Sequence, residues 1–164
     1  MTRRSLLALL SLFGLGSGPG RAASDTPAAP GAAVEPLRLS DAEWKQRLSP
    51  EQYDVLRHEG TERPFTSPLN AEKRAGIYRC AGCDHPLFGS QMKFDSGTGW
   101  PSFFQTLPGA FETKTDLKHI LPRTEYHCAR CGGHHGHVFN DGPRPTGQRY
   151  CNNGVALKFV AVAA

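Results

Sequence analysis

The stretch YRCAGCDHP, residues 78–86, returns in altered form as YHCARCGGH, residues 126–134. Each copy sets an aromatic residue two positions before a Cys-x-x-Cys turn, giving Cys80 with Cys83 and Cys128 with Cys131. The two-residue spacing lets both sulfurs of a turn face one ion, and four thiolates in tetrahedral array are what a structural zinc ion favours. The long gap between the pairs exceeds that of a compact zinc ribbon, so one metal is expected to staple distant hairpins of a larger sheet and to add its binding energy to folding. Two other readings use the same residues: disulfides, and a redox-active Cys-x-x-Cys. One such motif suffices for thiol exchange, whereas the duplication is what a closed four-ligand site requires.

Outward from these turns the chain alternates short β-type runs, GIYRC, MKFD, EYHC, GHVF and VALKFVAV, with glycine, proline and aspartate. Eighteen glycines and thirteen prolines favour turns over long helices. The expected fold class is therefore mainly β (α+β), antiparallel, with a short helical preface. That preface is LRLSDAEWKQRLSPEQYDVLRHEG, residues 37–60, where Ser40 with Glu43 and Ser49 with Gln52 form capping boxes. Leu39 and Leu48 are placed to staple onto Trp44 and Tyr53, Pro50 opens the second helix, and Gly60 closes it. Trp44 reads as a packing anchor.

Residues 1–23 carry a basic start, an apolar run from Leu6 to Leu15 and a small-residue exit, the pattern of an export signal. Arg3 and Arg4 partly match a bacterial twin-arginine signal, and Sec export fits nearly as well; a retained N-terminal anchor is the alternative. The apolar run is short for a bilayer span, so no stable membrane insertion is expected, and the expected location is the bacterial periplasm. Residues 24–36, rich in alanine and proline, read as a flexible tether, and residues 37–164 as the folded domain. Of the 19 lysines and arginines, Arg3, Arg4 and Arg21 lie in the signal-like segment, which leaves 16 basic against 15 acidic residues. So even a balance does not suggest the clustered positive charge of a nucleic-acid surface, and no nucleic-acid partner is expected.

Cys151, in GQRYCNNGVALKF, is the one cysteine of five outside a pair. A lone cysteine is commonly a small buried hydrophobe. Its neighbours in sequence suggest chemistry instead. His134, His135 and His137 fall within four positions, followed by Asp141. On a regular strand His135 and His137 share a face, whereas a glycine turn would let His134 converge with His137; metal binding by these histidines and a plain surface role are the alternatives. An imidazolium stabilises a thiolate and serves as an acid, and Arg149, two before Cys151, would share its face and lower its pKa. Trp100, between the SGTG turn and Pro101, suits the wall of a small apolar pocket.

Taken together, CAGC, SGTGWPSF, CARCGGHHGHVFNDGP and PTGQRYCNNGVALKF resemble the B-type methionine sulfoxide reductases, which act on the R epimer. The resemblance runs from about Leu37 to Val160. It implies two antiparallel sheets with a structural zinc ion on Cys80, Cys83, Cys128 and Cys131. It also implies Cys151 as nucleophile, His137 assisted by His134 as acid, and Trp100, Asn153, Arg149 and Asp141 around the substrate. The implied activity is an oxidoreductase of protein repair under oxidative stress, turning methionine sulfoxide, free or in oxidised proteins, into methionine and leaving a sulfenic acid on Cys151.

One departure bears on turnover. Many family members carry a resolving cysteine in the turn before the tryptophan, where this chain has Thr98. Reduction by an external thioredoxin-like or glutaredoxin-like thiol is therefore expected. His135 and Asn152 replace residues usually apolar in the family, and the sequence assigns them no role. Two rival functions are a non-catalytic zinc-knuckle binding module, for which Cys151 and His137 would be dispensable, and a cysteine hydrolase, whose thiol would emerge from turnover unoxidised.

Overall fold

The computed structural model describes residues 34–118 and 120–162. The expected export signal and nearly all of the tether lie outside the described residues. Helices α1 (Asp41–Arg47) and α2 (Pro50–His58) begin at the expected capping boxes. The Ser40 amide donates to Glu43 Oε2 at 2.7 Å, and the Gln52 amide donates to Ser49 Oγ at 3.2 Å. Trp44 is buried, with the Arg57 guanidinium 4.8 Å from its ring.

The end of α2 differs from expectation. The left-handed residue is Glu59 (φ 59°), and the Gly60 amide donates to Asp54 O. A Cβ at 60 would displace the exposed Asp54 carboxylate, 2.0 Å from where it would stand, and press on the Asp54 carbonyl oxygen at 3.2 Å. Glu59 tolerates the strained conformation while its carboxylate is held by Lys114 and Lys118.

Among the described residues nine strands follow: β1 (Gly76–Cys80), β2 (Pro86–Gly89), β3 (Lys93–Phe94), β4 (Ser102–Phe103), β5 (Phe111–Asp116), β6 (Arg123–Cys128), β7 (His134–Phe139), β8 (Arg149–Asn152) and β9 (Leu157–Ala161). They form two antiparallel sheets, a three-stranded one ordered β2-β1-β9 and a six-stranded one ordered β3-β4-β8-β7-β6-β5. The mainly β, antiparallel expectation holds. Strands β2, β4 and β5 were not legible as runs: two are very short, and the middle of β5, Glu112–Thr115, faces solvent on both sides, so no apolar alternation marks it.

The core between the sheets is aromatic. Phe88 and Phe103 stack at 3.9 Å with their planes 7° apart, and Tyr78, Phe111 and Tyr126 close around them edge-on or tilted. Tyr78 is fully buried and its hydroxyl has no partner among the described residues. Such a group costs about 1–3 kcal/mol of desolvation without return. Tyr78→Phe is accordingly expected to raise the thermal midpoint of unfolding; a lower midpoint would mean that the hydroxyl is bonded.

Candidate active site and metal centre

Strand pairing builds one row of side chains across the whole larger sheet. Lys114 on β5 pairs with Glu125 on β6, Glu125 with His137 on β7, His137 with Cys151 on β8, Cys151 with Ser102 on β4, and Ser102 with Phe94 on β3. Directly paired residues share a face, so His137 and Cys151 are immediate neighbours although the sequence separates them by a long loop.

A bulge places the second histidine. On β7 the pairing steps from Gly136 to His134 while β6 advances only from Tyr126 to His127, making His135 the extra residue. This breaks strict alternation, so His134 joins His137, their ring centroids 5.5 Å apart, and His135 turns the other way into the core. Of the two pairings open from sequence, the glycine-turn one is found. Gly136 is required here because a Cβ would stand 1.9 Å from the Cys151 carbonyl oxygen.

Each histidine meets a carboxylate that sequence reading missed. His137 Nε2 lies 2.8 Å from Asp116 Oδ2, and His134 Nδ1 lies 2.9 Å from Glu125 Oε1, too poorly aligned for a full hydrogen bond. Glu125 is held in turn by Lys114 at 3.0 Å, and Asp116 by Arg123 at 3.2 Å and by the Lys118 amide at 2.9 Å. Burial pushes the His137 pKa down, and the Asp116 contact only partly restores it. No signal in the sequence pairs Asp116 with His137, because the pairing depends on sheet order.

A cleft of about 150 Å³ opens over this row, lined by Trp100, Arg123, His137, Phe139, Cys151 and Asn153 among others. The Trp100 indole N–H donates to Glu62 O at 3.0 Å, fixing the ring at the mouth. Glu62 also donates its amide to Asn153 Oδ1, and its carboxylate accepts from the amides of Gly154 and Val155 at 2.6 and 3.0 Å. Asn153 Nδ2 donates to His135 O, so most of the Asn153 amide is spent on backbone. Glu62 thus ties together two walls of the cleft, a role invisible in the sequence.

Arg149 forks onto Asp141 with two contacts of 2.8 Å and lies over Phe139. Asp141 is exposed, contacts Arg149 and does not line the cleft. The Cys151 thiol is pushed up by burial; Arg149 and the Thr98 hydroxyl pull it back without overcoming that cost. The sequence argument for a lowered pKa had the sign of the Arg149 effect right and left out desolvation.

The other four cysteines converge. Their sulfurs all lie within 4.8 Å of one another, with Cys80 to Cys131 at 3.7 Å and Cys83 to Cys128 at 3.6 Å. A disulfide needs about 2.05 Å, whereas a tetrahedron of metal–sulfur bonds near 2.3 Å sets sulfurs about 3.8 Å apart. The spacing and the thiol set fit a tetrahedral ion of zinc's kind. Cys80 ends β1 in the smaller sheet with Cys83 just after it, while Cys128 ends β6 in the larger with Cys131 just after it, so the cluster joins two sheets rather than hairpins of one. His135 Nε2 stands 3.4 Å from Cys80 Sγ. Asn152, buried behind the nucleophile, accepts from the Tyr126 hydroxyl at 3.0 Å. Both departures from apolar residues thus have polar neighbours within the core.

A family model described as the SelR domain matches residues 48–161. The chain is 56% identical over 127 residues to the peptide methionine sulfoxide reductase MsrB of Agrobacterium fabrum, an overlap of 77% of this chain and 94% of that protein. It is 57% identical over 118 residues to the MsrB of Pseudomonas putida, covering 71% and 89%. Against the chloroplastic peptide methionine sulfoxide reductase B1 of Arabidopsis thaliana identity is 56% over 125 residues, 76% of this chain and 62% of that protein.

Proposed function

The chain belongs to the B-type methionine sulfoxide reductases and is an oxidoreductase of that type, and from this premise we propose that Cys151 takes the oxygen of an R-configured methionine sulfoxide directly onto its sulfur. The carrying observation is the pairing of His137 with Cys151 beneath a small cleft walled by Trp100. The Cys151 thiolate attacks the sulfoxide sulfur while His137, backed by His134, gives a proton to the oxygen, and the S–S bond so formed breaks as the hydroxyl passes to the cysteine sulfur. The S–O bond of the substrate breaks, the cysteine sulfur loses two electrons and the substrate sulfur gains them. Methionine and a Cys151 sulfenic acid result.

Trp100 contacts the S-methyl group and selects one epimer. Arg149, oriented by Asp141, favours the thiolate, and Asn153 shapes the floor of the cleft. With a threonine at 98 and four cysteines committed to a metal, no internal thiol is free to resolve the sulfenic acid. Two equivalents of an external thiol, thioredoxin-like or glutaredoxin-like, reduce it, releasing water and a disulfide. The four-cysteine cluster holds one zinc ion, whose contribution when bound is to cross-link the two sheets. The substrate is methionine sulfoxide on exposed segments of oxidised proteins, and the signal-like N-terminus sends the enzyme to the periplasm.

The test is stoichiometric. Purified protein mixed with the R epimer and no reductant should yield one methionine per chain, with Cys151 16 mass units heavier or trapped by a sulfenic-acid reagent, while the S epimer yields none. An internal disulfide to a Cys-x-x-Cys cysteine would refute external recycling. Product formation with Cys151 unchanged would refute the oxygen transfer.

A further inference from the structure

Burial at the cleft works against the acid the reaction needs, because removing an imidazolium from water lowers its proton affinity. Around His137 stand Asp116 at the end of β5, Arg123 and Glu125 on β6, His134 on its own strand, and Cys151 and Arg149 on β8. Arg123 and His134 oppose protonation of the ring. Asp116 alone combines hydrogen-bond contact with a charge that favours it. We propose that Asp116 is the positioning residue of the reaction, fixing the ring of His137 through Nε2 and favouring its protonated form. The proposal rests on the reading of His137 as the proton donor.

The surroundings of Asp116 suit this task. Its carboxylate is buried and anchored by the Lys118 amide at 2.9 Å and by Arg123 at 3.2 Å. The Lys118 amide and His137 hold its pKa well below the usual carboxylate range, so it stays charged wherever the enzyme works. The anchors also restrict its rotation. The imidazole therefore presents a defined nitrogen: with Nε2–H donated to Asp116, Nδ1 is the position that carries and releases the catalytic proton. Arg123 both lines the cleft and touches Asp116, linking the carboxylate to the substrate side.

The sign follows. Loss of the negative charge lowers the pKa of His137, so the alkaline limb of the pH–rate profile moves to lower pH. A carboxylate in contact shifts a neighbour by about one unit or more, which predicts about a tenfold fall in rate at neutral pH. Single-turnover oxidation of Cys151 by the R epimer is measured across pH for the zinc-loaded wild type, Asp116→Asn, Asp116→Ser, Asp116→Glu, His137→Gln and Asp116→Asn with His137→Gln. The two neutral variants, of which Ser keeps a hydroxyl for the Lys118 amide, should move the limb downward; Glu, which keeps the charge, should return it at least partly. In the His137→Gln background the Asp116 change should cost less than about twofold. An unmoved limb, or an undiminished cost in that background, overturns the proposal. If His137→Gln itself reacts at the wild-type rate, the reading of His137 fails instead. Nitrogen NMR of the intact wild type supplies a measurement without variants: neutral His137 carries its proton on Nε2, and the Nδ1–H form would refute the arrangement.

Discussion

Cys151→Ser lowers turnover of the R-sulfoxide by at least about a thousandfold while the fold and the metal content stay as they are. The size of the effect follows from sulfur's chemistry. A serine hydroxyl is ionised far less than even a buried thiol, and oxygen cannot accept a second oxygen to give an analogue of the sulfenic acid. Nothing else in the cleft can substitute: the remaining thiols are gathered in the metal cluster behind the core. The fold should tolerate the change because Cys151 is only half-buried and its strand is held by backbone pairing to Ser102 and His137. The measurement is methionine released with dithiothreitol as reductant, with circular dichroism on the same sample. A serine variant keeping a tenth of the activity would remove Cys151 from the nucleophile's role, and with it the separation of this thiol from the other four.

The second large effect concerns the cluster. Removal of the metal, or Cys128→Ser, is expected to unfold the domain rather than merely soften it. Structural zinc contributes about 10–16 kcal/mol in small zinc-binding peptides, comparable to or larger than the whole stability of a domain, about 5–15 kcal/mol. Here the ion would tie the end of β1 in one sheet to the end of β6 in the other, across the core that carries Tyr78 and Phe103. Without a cation the four crowded sulfurs cannot all be charged: hydrogen bonding to Cys128 drives the Cys80 thiol up and the Cys131 thiol down. Metal analysis with thermal unfolding, before and after a strong chelator, checks this. A demetallated protein with an unchanged midpoint would show the cluster to be dispensable.

The cleft also shows how far local reasoning reaches. The capping boxes at Ser40 and Ser49 were legible because each is complete within four residues. Cys80, Cys83, Cys128 and Cys131 were legible because a metal turn has a fixed spacing, although which sheets they join was not. His134 and His137 could be named but not paired until the bulge at His135 was seen. Asp116, Arg123, Glu125 and Glu62 were missed. In sequence they are ordinary charged residues of a polar strand, a hairpin end and a loop, and only the order of the strands turns them toward the site.

The linear chain by itself determined the class of fold, the four cysteines that cluster and the odd thiol, since these are written in residue type and short spacing, while the chemistry expected of that thiol came from the resemblance of its motifs to a family. The tertiary structure decided which histidine partners which carboxylate, that burial raises the Cys151 pKa against the pull of Arg149, and that the four-cysteine cluster draws on both sheets. The physical reason is range. Hydrogen-bonded turns and caps act over a few residues, whereas strand register and desolvation depend on which distant segments pack together, and no local pattern encodes that sum.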